Sequence, residues 1–123
     1  MPLDLKIENS VISITLQGRV NSEDFKRIAD VGEKVEAECN VSLDRILDFS
    51  FSEGLDLPSA ALELYADRQR QASLKNHIKS AIVAPDALSY GLSRMFQTLN
   101  DNPKITVQIF TDRNHALAWL SSK

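Results

Sequence analysis

Short apolar segments alternate with stretches of helical periodicity along most of the chain, and this order limits the fold more than any single motif does. Two segments that alternate apolar and polar residues open the chain on either side of Asn9 and Ser10, which predicts a β-hairpin with a two-residue turn. Each of the first three helical stretches is followed by another apolar segment. The predicted strands are 3–7, 12–16, 45–49, 78–84 and 105–109, and the predicted helices are 22–37, 58–75, 86–99 and 112–120.

The resulting order, ββαβαβαβα, predicts an α/β fold. Helices that alternate with strands after an opening hairpin are typical of a mixed, mainly parallel sheet covered by helices. No linker or internal repeat interrupts the order, and 123 residues are the length of one domain. We therefore expect a single domain over residues 1–123.

Charge and residue usage exclude several classes of function. The chain has 14 Lys and Arg against 17 Asp and Glu, a net charge of −3, so it lacks the basic excess that binds nucleic-acid phosphates. A single cysteine and two histidines suggest neither a disulfide nor a zinc site. We expect no metal, no cofactor and no nucleic-acid partner. The alternating N-terminus and the lack of a long apolar run predict a cytoplasmic protein without a membrane span.

A loop is expected before the second helix, and the second and third helices each show an apolar stripe. The residues 50–57 follow the third predicted strand and are interpreted as this loop, with Pro58 in the first turn of the second helix. The predicted stripe of the second helix is Ala61, Leu64, Tyr65, Arg68 and Ala72. The predicted buried face of the third helix, the clearest periodicity in the chain, is Leu88, Leu92, Met95, Phe96 and Leu99.

Four charged or aromatic residues are candidates for a site, and one of them belongs to the stripe of the second helix. Asp48 lies near the carboxyl end of an apolar strand, where ligands gather in open α/β sheets. A lone carboxylate is costly there, so we expect Asp48 either to have a partner, such as backbone N–H groups of the following loop, or to reach solvent. Arg68 either extends over the sheet edge or supplies a cation to a cleft. Tyr90 and Arg94 are expected on the surface, where they can join a contact patch.

The second half of the chain carries a family resemblance. Its motifs are Ala81-Ile82-Val83-Ala84-Pro85-Asp86, Gly91, Arg94-Met95-Phe96, Val107-Gln108-Ile109-Phe110 and Ala116-Leu117-Ala118-Trp119-Leu120. This pattern resembles the small bacterial SpoIIAA-like proteins, also called STAS or STAS/SEC14-type domains. The resemblance implies a fold that serves anti-sigma-factor antagonists, which bind a kinase and are switched by serine phosphorylation, and domains attached to anion transporters. Relatives with the SEC14-like fold bind lipids.

The phosphorylation switch of the antagonists can be compared with this sequence residue by residue. The antagonists carry Asp-Ser-Ser-Gly at the start of the second helix, with the first serine as the phosphate acceptor. Asp56 matches the aspartate, but Leu57 occupies the acceptor position and Ser59 follows two positions later. We predict that Leu57 packs against the sheet or against Ala61 and Leu64. We also predict that the chain lacks the serine switch.

Three functions are weighed on these grounds. The first is a non-enzymatic binding or regulatory module that recognises a protein partner, or a second copy of itself as a homodimer, through the second helix and residues 50–57. The second is a carrier or sensor of a lipid or other apolar small molecule, which predicts a cavity beneath Tyr65, Met95 and Phe96. The third, a hydrolase or isomerase that uses Asp48 with Ser50 or Ser59, lacks an oriented base. The candidate residues are Asp48, Ser50, Asp56, Leu57, Ser59, Tyr65, Arg68, Tyr90 and Arg94.

Overall fold

A computed structural model describes residues 3–122 and contains one five-stranded mixed sheet with four helices. The strands follow their sequence order across the sheet; β1 is antiparallel to β2, and all other neighbours are parallel. This confirms the predicted α/β class and element order. The strands are β1 (Leu3–Glu8), β2 (Val11–Asn21), β3 (Asp44–Asp56), β4 (Ile78–Val83) and β5 (Ile105–Phe110). The helices are α1 (Ser22–Glu38), α2 (Ser59–Arg70), α3 (Ala87–Leu99) and α4 (Arg113–Ser121).

The opening hairpin turns at the predicted two residues. Asn9 and Ser10 have φ values of 52° and 64°, the left-handed backbone that a tight two-residue turn between twisted strands requires. The register pairs Leu5 with Ile14, so the apolar side chains of both strands share one face of the sheet. The turn therefore fixes the register that buries the apolar face of the hairpin.

The two faces of the sheet carry different helices. Leu47 and Phe49 of β3 belong to the main core, which includes residues of α1, α2 and α3. Ile46 points to the other face and packs in a smaller cluster with Ala116 and Leu120 of α4. The alternation of side chains along β3 thus places three helices on one face and α4 on the other.

Three of the helices begin at polar caps. Asn21 and Asp24 form a reciprocal capping box at the start of α1. Asp86 accepts the N–H of Ser89 at the start of α3, and Asp112 accepts that of His115 at the start of α4. These are helix starts that the sequence indicated.

The segment that the sequence analysis interpreted as a loop, 50–57, is mostly strand. β3 continues to Asp56 and pairs with β2 through two register shifts, one on each side of Gly18. Gly18 has a φ of 67°, which a residue without a Cβ adopts at no steric cost. The irregular register removes the alternation by which a strand is recognised in a sequence, and this explains the wrong prediction.

The second helix ends five residues before its predicted end, at Arg70 instead of Lys75. The side-chain amide of Asn102 donates to the backbone carbonyls of Gln69 and Ala72. These bonds satisfy carbonyl groups that a longer helix would use internally. A contact from a residue distant in sequence therefore accompanies the early end of α2.

The buried faces of α2 and α3 are rotated relative to the predicted stripes. In α2 the buried residues are Leu62, Tyr65 and Ala66, whereas Leu64 is 67% exposed. In α3 they are Ser89, Ser93 and Phe96, whereas Leu88 is 56% and Met95 is 41% exposed. Serine side chains are small enough to let α3 approach the sheet closely, and the hydroxyl of Ser93 donates a hydrogen bond to the carbonyl of Ser89.

No helix of the described residues is long and apolar enough to cross a membrane.

Candidate functional site

Asp48 is buried and fully engaged with neighbouring groups. Its side chain is 2% exposed; Oδ1 accepts the backbone N–H of Ser50 at 2.8 Å, and Oδ2 accepts from Nη1 of Arg113 at 3.1 Å. The same guanidinium donates through Nη2 to the hydroxyl of Ser13 at 2.8 Å. The backbone hydrogen bond predicted from the sequence is present. The sequence analysis did not identify Arg113 of α4 as the second partner. This network attaches α4 to the sheet.

The two serines of the enzyme hypothesis lie apart from any suitable base. Both oxygens of the Asp48 carboxylate are occupied, by the N–H of Ser50 and by Arg113. Ser59 is exposed at the first position of α2, after Pro58, and caps no helix. His115 is exposed and bound to Asp112 in its own helix turn, and His77 pairs with Thr106. The geometry therefore brings no serine, histidine and carboxylate of this set together.

Asp56, the residue that matches the aspartate of the antagonists, is tied to the neighbouring strand. Arg19 of β2 donates to both of its carboxylate oxygens, from Nε at 3.0 Å and from Nη2 at 2.6 Å. Hydrogen bonding to this guanidinium holds the pKa of Asp56 below its ordinary value. Gly54 leaves room for the arginine, because a Cβ there would lie 2.8 Å from its Nη1. Asp56 thus fastens the end of β3 to β2.

Leu57 packs against the main core, as the sequence predicted. It lines a small apolar cavity between α2 and α3 together with Leu62 and Leu92. The predicted contact with Leu64 is wrong, because that side chain faces solvent on the other flank of α2. The position that holds the phosphate acceptor in the antagonists is therefore occupied by a half-buried apolar side chain.

The same cavity is the structural counterpart of the one predicted for a carrier of an apolar ligand. It is lined by Tyr65 and Phe96, two of the three residues predicted for it, whereas Met95 lies outside on the exposed flank of α3. Its volume is about 20 Å³, enough for one water molecule. Small-molecule pockets have volumes of about 300–1,000 Å³, so this cavity holds no lipid without movement of α2 or α3.

Two exposed and two half-buried apolar residues of α3 form a continuous stripe, which we call the α3 seam. It consists of Leu88, Leu92, Met95 and Leu99, spaced by four, three and four residues. Leu92 and Leu99 are half-buried against the main core, and Leu92 shares the small cavity with Leu62 of α2. The seam therefore runs along the flank of α3 that faces α2.

Tyr90 and Arg94 are exposed on α3, as predicted. Helical geometry places Tyr90 about 200° around the helix from Leu88, away from the seam. Arg94 forms no ion pair with any residue between 3 and 122. These two residues accordingly lie outside the apolar stripe.

Arg68 bridges two helices instead of extending over the sheet edge. Its Nη2 lies 2.8 Å from Asp30 and 2.7 Å from Glu33, both on α1. Hydrogen bonds to Glu33 and then to Asp30 raise the pKa of the guanidinium above its ordinary value. Tyr65, beside it in α2, is buried and contacts Phe25 and Phe96 with ring centroids 5.2 Å away in each case.

Among residues 3–122, no three His, Cys, Asp or Glu side chains cluster as metal ligands.

The architecture is that of an α/β domain with helices on both faces of a sequentially ordered sheet. A family model described as SpoIIAA-like matches residues 11–121. The chain therefore belongs to the SpoIIAA-like family, which confirms the resemblance found in the sequence. No curated protein sequence matches the chain.

A solved structure supports the same fold. It is that of an uncharacterised protein of the DUF3478 family with a SpoIIAA-like fold from Shewanella loihica PV-4. The two chains are 18% identical, the match covers 96% of this chain and 91% of the other, and the TM-score is 0.61. At this identity the similarity establishes the fold alone.

Proposed function

We propose that the chain is a non-enzymatic binding module that recognises a protein partner through the α3 seam. The observation that carries the proposal is the exposure of Leu88 and Met95, which lie seven residues apart on one stripe. Half-buried Leu92 and Leu99 make the stripe continuous between them. Apolar stripes with this spacing are the surfaces by which helices recognise each other.

The proposed surface differs from the one expected from the sequence. Residues 50–56 are paired with β2 and form no free loop, and Leu64 is a single exposed leucine of α2 that lines a groove on the flank opposite to α3. Single exposed leucines are common in soluble proteins, whereas two exposed apolar side chains joined by half-buried ones along one helix form a larger apolar patch. The seam is therefore the better candidate for an interface.

The partner that suits the seam is an amphipathic helix. Side chains at a four-three-four spacing accept apolar residues of a second helix between them. A second copy of this chain offers the same stripe, so self-association uses the same residues as recognition of another protein. Leu57 beside the seam replaces the acceptor serine, so we propose that binding is not controlled by phosphorylation there.

The proposal is tested by placing a charge on the seam. We expect the double substitution Leu88→Glu and Met95→Glu to abolish capture of the partner from a lysate of the source organism, measured by quantitative mass spectrometry. The matched control is Leu64→Glu, which charges a leucine more exposed than Leu88 or Met95 and should leave capture unchanged. Sedimentation of the purified variants separates self-association from binding of another protein. Equal capture by both variants would contradict the proposal.

An apolar-ligand carrier is the second candidate function, and the small cavity between α2 and α3 is the observation that favours it. Its walls are almost entirely apolar, and Leu57 and Leu92 lie at its boundary. A lipid would need these helices to separate. Native mass spectrometry of the purified protein distinguishes the two functions: the binding module should show the mass of the bare chain. A stoichiometric lipid adduct, with a thermal shift on adding a fatty acid, would favour the carrier.

A further inference from the structure

The two edge strands of the sheet, β1 and β5, differ in what covers them. At β5 the side-chain amide of Gln97 donates to the backbone carbonyl of Val107 at 2.9 Å, so a side chain occupies part of this edge. Among residues 3–122, no strand or loop other than β2 forms backbone hydrogen bonds with β1. Such an edge carries free backbone donors and acceptors that another strand can use.

The hairpin turn determines which backbone groups of β1 face outward. Both turn residues have positive φ values, as in a type I′ turn, where the flanking residues Glu8 and Val11 form the hydrogen-bonded closing pair. Successive residues of an antiparallel strand direct their N–H and C=O groups to alternate sides. The backbone groups of Leu3, Leu5 and Ile7 therefore face away from β2.

The side chains of β1 alternate between apolar and charged. Leu3 and Leu5 pack against the rim of the main core, and Ile7 on the same face is 51% exposed. Asp4 and Lys6 are exposed on the other face, and neither forms an ion pair within residues 3–122. The edge thus presents an apolar row beside two charges of opposite sign.

We propose that a second copy of the chain docks on this edge, β1 against β1, as an antiparallel pair centred on Leu5. In a two-fold symmetric pair, residues at equal distances from the centre lie opposite each other. Asp4 of one copy then lies opposite Lys6 of the other, and Leu3 lies opposite Ile7. The symmetry forms each of these contacts twice.

The charges favour this register over its neighbours. A symmetric pair keeps the two apolar rows on one face, so the alternative centres are Asp4, Lys6 and Ile7. A pair centred on Lys6 places this residue opposite itself and Asp4 opposite Glu8, and a pair centred on Asp4 places that residue opposite itself. Like charges directly opposite each other are destabilising. A pair centred on Ile7 brings each strand against the hairpin turn of the other copy, which shortens the paired segment.

The same pairing explains why association stops at two copies. A β1 strand that pairs with β1 uses both edges and closes the assembly, whereas pairing of β1 with β5 would continue as a filament. Gln97 at the β5 edge disfavours the filament. This residue belongs to α3, which therefore lies toward the opposite edge, so the dimer leaves the α3 seam uncovered and is independent of the function proposed for it. The paired segment is short, so we expect a weak dimer.

The test is sedimentation of the purified chain between about 10 μM and 1 mM, where we expect a monomer–dimer equilibrium. Lys6→Asp and Asp4→Lys should each weaken the dimer by about tenfold or more, because each variant places like charges opposite each other twice. The double variant Asp4→Lys with Lys6→Asp should restore the dimer, since opposite charges face each other again. Arg94→Glu, a charge reversal at an exposed position of α3, should leave the dimer unchanged.

Hydrogen exchange followed by NMR tests the pairing without any substitution. As the protein concentration rises, exchange should slow at the amides of Leu5 and Ile7, while those of Asp4 and Lys6, which face β2, should keep their rates. The proposal is overturned if the chain is monomeric at about 1 mM or if it forms assemblies larger than a dimer. It is also overturned if the double variant does not restore the dimer, or if exchange at Leu5 and Ile7 does not depend on concentration.

Discussion

Asp48 and Arg113 join the sheet to the helix on its second face, and this pair sets the first prediction at the scale of single residues. Arg113→Met leaves the buried Asp48 carboxylate with only the Ser50 N–H as a donor. We expect the free energy of unfolding to fall by about 1–3 kcal/mol, below the full cost of breaking a buried ion pair because Arg113 is partly exposed. Urea denaturation measures the change.

The control for this prediction is Arg94→Met, which removes an exposed arginine that has no ion-pair partner among the described residues. Its effect should stay within about 0.5 kcal/mol. The double variant Asp48→Asn with Arg113→Met should be less destabilised than Arg113→Met alone, because an amide costs less to bury than an unpaired carboxylate. Equal stability of Arg113→Met and Arg94→Met would show that the pair does not stabilise the fold.

Asp112 sets a second prediction at the residue scale, one that depends on pH. The backbone N–H of His115, followed by its side chain, lowers the pKa of the Asp112 carboxyl from its ordinary value of 3.8. A carboxyl whose pKa is lower in the folded state stabilises the fold above that ordinary value, and the stabilisation is lost as pH falls through the lowered folded pKa. Asp112→Asn keeps a capping side chain but cannot ionise.

The measurement for Asp112 is the unfolding free energy of both proteins below about pH 5. The original chain should be more stable than Asp112→Asn at the upper end of this range, and the difference should shrink as the pH falls. A difference that stays constant with pH would contradict the role assigned to the Asp112 charge.

At the scale of elements, the extension of β3 depends on the pair between Arg19 and Asp56. Arg19→Met removes both hydrogen bonds to Asp56 while keeping a long side chain. We expect the amides of 51–56 to exchange with solvent faster, and those of the interior strand β4 to keep their rates. Hydrogen exchange followed by mass spectrometry measures both. Unchanged exchange in 51–56 would mean that the backbone pairing alone holds the extension.

The start of α2 gives a prediction about phosphorylation. Leu57 offers no hydroxyl at the acceptor position, and Ser59 lies at the first helical residue, two positions later. We expect incubation with an anti-sigma-factor kinase and ATP to leave the chain unmodified, as measured by intact mass. Stoichiometric phosphate on Ser59 would return this chain to the switched antagonists.

The sequence predicts elements well where their signals are local. The Asn9-Ser10 turn, the caps at Asn21, Asp86 and Asp112, and the order of strands and helices need only neighbouring residues. The end of α2 depends instead on Asn102, which is distant in the chain. The extension of β3 pairs with β2 through two register shifts at which β3 carries an extra residue, and these extra residues destroy the two-residue period. Such contacts exist only in the folded chain.

The candidate functional residues were less predictable than the elements, because their surroundings also depend on contacts in the folded chain. A leucine stripe is an equally good signal for a buried face and for an exposed interface, and the choice of Ser89 and Ser93 as the buried side of α3 follows from packing. Asp48 was identified by its charge in an apolar strand, but its partner Arg113 lies 65 residues later.

At the scale of the whole molecule, three regions are distributed over the two faces of the sheet. One face carries α4, held through Asp48 and Arg113. The other carries the main core and the α3 seam beside α2. The family match covers residues 11–121 and so includes all three regions. Recognition of a partner through the seam is the central claim for this architecture.

The most direct measurement of that claim is photo-crosslinking from two positions of the intact chain. A photoreactive amino acid at Met95 lies on the seam, and the same amino acid at Leu64 is at least as accessible on the opposite flank of α2. We predict one defined crosslinked partner from Met95, lost on adding Leu88→Glu, and no such product from Leu64. The same product from both positions, or none from Met95, would contradict recognition through the α3 seam.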